Sequence, residues 1–326
     1  MRFIDFTPGC SAQELAISET AMPRLIQGQV LVKVGAFGIN RADLLQRAGK
    51  YPAPDGESPI LGLEIAGEII EISAGLATRF KVGDKVFGLV AGGAYAEYVA
   101  VHASHLLPLP ASMDYIQGAA LAECFLTAYQ AMFVEYQLQE RSSVLIHAGA
   151  SGVGLAAIQL AKQANCKVVV TASSAEKLAV CLLYGADLRI NYIEVDFVEV
   201  LKSQTPQPID LIIDFVGGAY VNRNLAVLNR DGCIVQLAML GGRYVENLDM
   251  ALMLGKRATI KASTLRNRSD AYKTALTLAF ERDCWAKLDS GQLKAVIDAS
   301  YSASEIAQAH GRMENNLNMG KLVCYW

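Results

Sequence analysis

The sequence predicts an α/β protein of two domains, one a doubly wound parallel sheet and the other a smaller, β-rich barrel. Three observations predict it. From about residue 123 to residue 264, strand-like and helix-like stretches alternate. Before that, short apolar runs are cut up by glycine, as in a small antiparallel barrel. After residue 264, a long helical stretch leads to two more strands, which are expected to rejoin the first domain. The expected division is 1–122 with 265–326, and 123–264 inserted between them. A length of 326 residues fits two domains.

In the first part, 30–36 reads as a strand, 61–72 as a strand broken by Gly62 and Gly67, and 82–88 as a tight turn before a strand. Residues 92–101 read as a hairpin entry and another strand. The stretch 107–110, with Pro108 and Pro110, reads as a connector, and Asp114 as the cap of a helix through Ala120. In the middle part, strands are expected at 144–147, 167–171, 187–190, 209–214, 233–238 and 258–262. Helices are expected at 153–164, 175–184, 194–203 and 219–228. The tail adds a helix at 271–288, a strand near 295–299, a helix opened by Ser302, and a final strand at 321–325.

One stretch carries a chemical message. The apolar run 144–147 is followed by Gly149, Gly152 and Gly154, then by apolar residues at helical spacing (Leu155, Ile158, Leu160, Ala161), then by the β-branched run 167–171. Strand, glycine turn, helix and strand open a dinucleotide-binding (Rossmann) βαβ unit. Such a turn sheds side chains so that backbone N–H groups can approach a pyrophosphate, and the following helix offers its positive end to the same anion. The usual G-x-G-x-x-G is altered here. Aligned on Gly154 it reads Gly149, Ser151, Gly154, with Gly152 added.

Composition excludes several function classes. The formal net charge is -3 and the pI about 5.9, so there is no basic footprint for nucleic acid. Charged residues make up only 19% and the mean hydropathy is +0.26, which suits large buried cores. No uncharged apolar run approaches the roughly 18 residues of a membrane span. Residues 1–5 lack a signal-peptide profile. The cysteines (Cys10, Cys124, Cys166, Cys181, Cys233, Cys284, Cys324) are dispersed and odd in number. They read as reduced, mostly buried thiols, and the expected compartment is the cytoplasm.

Residues 37–52, with Asn40, Asp43, Gly49, Tyr51 and Pro52, resemble the substrate-domain signature of the zeta-crystallin-like quinone oxidoreductases. That family lies within the medium-chain dehydrogenase/reductase superfamily. Residues 61–67, residues 82–86, and Gly154 followed by Gln159 and Lys162 match its other markers. The resemblance covers essentially the whole chain. The Gly149–Gly154 loop, with Ser151, is similar to the branch typified by a stress-inducible quinone oxidoreductase. The resemblance implies a GroES-like barrel as the catalytic domain and a Rossmann domain, a homodimer, and metal-independent hydride transfer from NADPH to quinones. Reduction of an activated C=C bond, in an enal or enoyl thioester, uses the same hydride geometry and stays open. A nucleotide-binding crystallin or RNA-binding role is a third reading, against which the acidic pI weighs.

The second strand of the βαβ unit ends at Thr171-Ala172-Ser173-Ser174, where an NAD enzyme would carry Asp or Glu for the ribose hydroxyls. Glu176 and Lys177 follow. The missing carboxylate points to NADP, although Lys177 could equally be a solvated helix lysine and Tyr192 a loop packing residue. The resemblance makes Ser173, Lys177 and Tyr192 the 2′-phosphate group. It also implies cofactor contacts at Thr127, on the loop at Ala150, Ser151, Gly152, Val153 and Gly154, and at Phe215, Val216, Ala238, Met239 and Leu240. Asn40 and Tyr51 become the polar groups beside the acceptor, although Tyr51 alone reads as a barrel-surface tyrosine. Asp214 suits a structural or ribose-side role, and Asn316 or Asn318 lies near a family cofactor contact. No metal is expected. Asn40 and Leu63 occupy positions where zinc-dependent relatives carry Cys and His, and tetrahedral zinc needs several converging ligands. His102 and His105 read as a loop pair, and Cys124 as a buried thiol.

Overall fold

A computed structural model describes residues 1–204 and 209–326. Two compact units divide the chain: Met1–Leu126 with Leu265–Trp326, and Thr127–Thr264. The first unit opens with β1 (Arg2–Asp5) and β2 (Ala16–Glu19), paired antiparallel as a separate small sheet. Then come β3 (Gln29–Ile39), α1 (Arg41–Arg47), β4 (Glu64–Ile72), β5 (Lys85–Leu89), β6 (Tyr98–His102), β7 (Leu106–Pro108), α2 (Tyr115–Gly118) and α3 (Ala122–Tyr129). β3 is the spine of this unit. One of its edges pairs with β4, and the other is shared between β6, opposite residues 29–33, and a late strand opposite residues 36–39.

Three local expectations need correction here. The strand expected at 30–36 continues to Ile39, because that late strand satisfies its last backbone groups. The expected connector at 107–110 starts as β7, antiparallel to β5, since Leu106 and Leu107 are apolar and Pro108 sits at the strand's last residue. The helix from Asp114 stops at Gly118; Asp114 accepts the Gln117 N–H at 2.8 Å, and the Gln117 side chain returns to the Asp114 N–H.

The second unit holds β8 (Ser143–Ile146), α4 (Gly152–Gln163), β9 (Lys167–Ala172), α5 (Ala175–Leu183), β10 (Leu188–Asn191), α6 (Phe197–Gln204), β11 (Ile209–Asp214), α7 (Tyr220–Val227), β12 (Leu228–Gln236), α8 (Met250–Lys256) and β13 (Thr259–Ala262). All six strands run parallel in the order β10-β9-β8-β11-β12-β13. The order reverses at β8, which lies between β9 and β11, the topological switch of a Rossmann sheet. β8, β9 and β11 are almost wholly buried, which is why they read as continuous apolar runs and not as alternation. α6 begins at Phe197 and not at 194, because the Asp196 carboxylate accepts the Val198 N–H and defines the start. Before β8, α3 widens into a π-helical turn over Gln130–Glu135, a feature without a sequence signature.

The last segment returns to the first unit with α9 (Asp270–Asp289), β14 (Ile297–Ser302), α10 (Ile306–Glu314) and β15 (Lys321–Tyr325). Ser302 and Glu305 form a capping box that opens a short turn ahead of α10. β15 pairs parallel with β14 and antiparallel with β3, giving the sheet order β14-β15-β3-β4-β5-β7 with β6 also on β3. Among the described residues no pairing joins β14 to β7, so in hydrogen-bonding terms the expected barrel is open. Its core is built from Val30, Val32, Phe37, Ile39, Ile65 and Leu322 among others. Leu145, Val169, Ile190, Ile212 and Ile234 belong to the core of the second unit.

Candidate functional site

Parallel strands bring the loops after β8, β9, β11 and β12 to one edge of the sheet in the second unit. The loop after β8 is shaped for close approach. A Cβ on Gly154 would lie 2.5 Å from the Gly149 carbonyl oxygen, and one on Gly149 would lie 2.8 Å from Val170 Cβ. Neither position can carry a side chain without moving the helix off the sheet. Ser151 is the N-cap of α4, its hydroxyl accepting the Gly154 N–H at 3.1 Å. The Gly152 and Val153 amides have no acceptor within the helix. With the positive end of a twelve-residue helix behind them, they fit a pyrophosphate. Ala150 is buried beside them.

The next loop assembles the other nucleotide residues. Ser174 caps α5 through the Lys177 N–H at 3.3 Å, and Lys177 Nζ reaches the Ser173 hydroxyl at 3.4 Å. Tyr192 follows β10 and donates its N–H to the Ala172 carbonyl at 3.2 Å, so its chain position adjoins the same corner. Its side chain is exposed. Glu176, the nearest carboxylate in sequence, is exposed and turned to its own cap; hydrogen bonding from Ser174 holds it below the usual carboxylate range. After β11, Asp214 has a structural role. One oxygen accepts the Val216 and Gly217 N–H groups, and the other accepts from Asn224. The Leu240 N–H donates to the Phe215 carbonyl and the Gly241 N–H to the Val216 carbonyl, which sets Phe215 and Val216 beside the Ala238–Met239–Leu240 stretch. Met239 and Leu240 are exposed apolar side chains at this edge. Thr127 lies half-buried on α3, at the start of this unit.

In the first unit, Asn40 sits at the end of β3 in a buried ionic knot. Its Nδ2 donates to Glu64 Oε1 at 2.9 Å, and its Oδ1 accepts from Lys321 Nζ at 2.7 Å. Lys321 Nζ lies 2.5 Å from Glu64 Oε1, and both side chains are almost inaccessible. The second Glu64 oxygen accepts the Glu123 N–H at 2.8 Å. Burial alone would lower the Lys321 ammonium, but Glu64 overcomes this and holds it above its ordinary value. Gly38 makes room for the knot, since a Cβ there would fall 2.2 Å from Glu64 Oε1. Sequence reasoning missed Glu64 and Lys321. Each is the first residue of its strand, a position where a charge is ordinary and gives no signal.

A second chain of polar groups crosses the core. Arg47 Nη1 lies 3.0 Å from His310 Nδ1, His310 Nε2 lies 3.0 Å from the Tyr95 hydroxyl, and that hydroxyl donates to Asp43 Oδ2 at 3.2 Å. Arginine only donates, so His310 accepts at Nδ1 and donates from Nε2. Every bond in the relay therefore points toward Asp43, which also accepts the Asn40 N–H at 2.7 Å. At its other end Arg47 pairs with Glu314. Burial pushes Asp43 up to about 6, and burial with the neighbouring Arg47 pulls His310 down to about 3. Asn40 is thus fixed through both its side chain and its backbone.

Tyr51 is half-buried, and burial raises its hydroxyl above the ordinary range. The Arg266 guanidinium carbon lies 5.5 Å from its ring centre. Asn316 accepts from Arg41 at 2.6 Å, while Asn318 donates to the Gly320 carbonyl within its own turn. Leu63 is buried. His102 and His105 both face Asp270, at 3.3 and 3.9 Å. Among the described residues no group of three or more His, Cys, Asp or Glu could hold a metal ion. His147 is a satisfied core residue between Thr171 and Asn224. Burial pushes the Cys124 thiol up to about 12, which leaves it unreactive.

Two family models match the chain: an alcohol dehydrogenase GroES-like domain over residues 26–111 and a zinc-binding dehydrogenase domain over residues 152–281. A quinone oxidoreductase of Lama guanicoe is 32% identical over 310 residues, covering 94% of this chain and 91% of that protein. One from Pongo abelii is 31% identical over 300 residues, covering 90% of this chain and 87% of the relative. The crystal structure of an Escherichia coli quinone oxidoreductase complexed with NADPH superposes with a TM-score of 0.89 at 28% identity, over 100% of both chains.

Proposed function

Because the chain belongs to the zeta-crystallin-like quinone oxidoreductases of the medium-chain dehydrogenase/reductase superfamily, we propose that it reduces quinones with NADPH and without a metal ion. The observation that carries the cofactor half is the corner after β9, where two serines and a lysine meet and no strand-end carboxylate is present. The Escherichia coli neighbour crystallised with NADPH supports the same choice. The quinone half rests on what the named relatives are called.

Held at the α4 turn, NADPH supplies a hydride. The chain's own part is to bind and orient. Gly152 and Val153 offer their amides to the pyrophosphate, and Ser173, Lys177 and Tyr192 take the 2′-phosphate. Thr127, Phe215, Val216, Ala238, Met239 and Leu240 supply the remaining cofactor surface. Asn40, clamped by Glu64 and Lys321, keeps one amide hydrogen to offer the acceptor, and Tyr51 offers its hydroxyl. A quinone is already electron-poor, so positioning suffices and the reduced oxygen can take its proton from water.

The test is loss of NADPH absorbance with the purified protein and a panel of quinones and enones. Quinones should be consumed faster, and EDTA should leave the rate unchanged. Turnover confined to enones would reassign the acceptor class. Activity lost to chelation and restored by zinc would remove the metal-independent reading.

A further inference from the structure

One buried cation in the first unit is left without an answer in the protein. Arg266 is 6% exposed. Its Nε donates to the Ala91 carbonyl at 2.7 Å, yet among the described residues neither Nη1 nor Nη2 has a hydrogen-bond partner. Asp43, Tyr51, Glu123 and Glu57 act on it only through space, partly offsetting the effect of burial. Leaving guanidinium N–H groups buried and unpaired is costly, so such an arrangement calls for a ligand. The same side chain lies over the Tyr51 ring and lines a cavity of about 280 Å³, whose wall near it includes Leu63, Leu89, Gly92 and Leu265. That volume lies near the lower end of small-molecule sites, roughly 300 Å³ upward.

We propose that Arg266 receives the carbonyl oxygen of the acceptor and stabilises the negative charge that forms on it. The inference rests on the reductase reading above. Hydride addition forms one bond to the acceptor and leaves an electron pair on its carbonyl oxygen. The cofactor departs oxidised, and the oxyanion then takes a proton from water. Hydrogen bonds from its two Nη groups strengthen as that charge develops, which lowers the barrier more than it tightens ground-state binding.

The experiment uses 4-nitrophenol as a non-reducible probe of the oxyanion, its ionisation followed by phenolate absorbance on the purified protein. Wild type should bind phenolate in preference to phenol. Arg266→Met should cut that preference by about tenfold or more, the weight of a charge-assisted hydrogen bond. The same variant should lose a similar factor in kcat/KM for benzoquinone, with NADPH affinity unchanged and added guanidinium restoring part of the rate. Should Arg266→Met fail to fold, Arg266→Gln keeps the polarity without the charge and carries the same expectation. A folded variant with the wild-type phenolate preference overturns the proposal. If Arg266 governs phenolate binding while wild type turns over no quinone, the reaction class fails and the oxyanion site stands.

Discussion

Lys177 and Ser173 are four positions apart, one helical turn, so the corner they form was readable in the sequence itself. Asn40 was readable as a position but not as a condition. Its partners Glu64 and Lys321 are 24 and 281 residues away, and no local pattern joins them. Arg266 gave no signal at all, because an arginine between Leu265 and Asn267 says nothing of whether its N–H groups are answered. At this scale the cofactor reading makes one sharp prediction. A 2′-phosphate on Lys177 gains charge-assisted hydrogen bonds that NADH cannot make. Lys177→Ala should therefore lower the ratio of kcat/KM for NADPH to that for NADH by about tenfold to a hundredfold. An unchanged ratio would move the phosphate site elsewhere, and an equal loss for both cofactors would indicate damage to the fold.

Among the elements, β15 carries the most consequence for its length. It closes the free half of β3 and delivers Lys321 to Glu64. Removing one partner of a buried pair leaves the other charge unpaired, at a cost of about 3–5 kcal/mol. Lys321→Met should lower stability by that much in a urea titration. Adding Glu64→Leu should recover part of the loss, because the unpaired carboxylate goes with it. Recovery should be incomplete, since Asn40 Nδ2 and the Glu123 N–H then lose their acceptor. If the two single losses simply add in the double variant, the pair is not coupled. The strands of the second unit and most of its helices were legible from periodicity. The elements that moved or appeared, among them β1, β2, β7, α1, α2, α3, α6, α8 and the π-helical turn, are mostly short, and their limits are set by tertiary pairing and by caps.

The whole molecule has a pH response that the relay makes unusual. His310 falls to about 3 from 6.5, so the unfolded chain binds its proton across that interval and stability rises with pH. Asp43 rises from 3.8 to about 6, so the folded chain holds that proton instead and stability falls with pH. Between about pH 4 and 6 the two slopes oppose each other, one proton against one, and cancel to first order. Arg47, Tyr95, Lys321 and Arg266 face this pair. The prediction has two signs. Relative to wild type, His310→Gln should lose about 2–3 kcal/mol of stability as pH goes from about 4 to 6, and Asp43→Asn should gain as much over the same interval. Denaturant midpoints at the two ends of the range read both. Parallel profiles for all three proteins would dissolve the relay.

The first unit is made of two separate stretches, and synthesis delivers them far apart in time. β3 and Glu64 leave the ribosome early, while β15 and Lys321 follow only after the whole second unit. Until then one length of sheet edge is unpaired and one buried acid lacks its base, so this unit cannot finish before β15 is made. The contiguous second unit needs nothing that is made after it, and it should reach its native state first although it is encoded in the middle. The seam can be moved. Arg2 lies over the Trp326 ring at 5.4 Å, so the chain ends already meet. A permutant that starts at Leu265, joins residue 326 to residue 1 and ends at Thr264 would make each unit continuous. It should refold with less of the slow, late-closing phase that the natural order imposes.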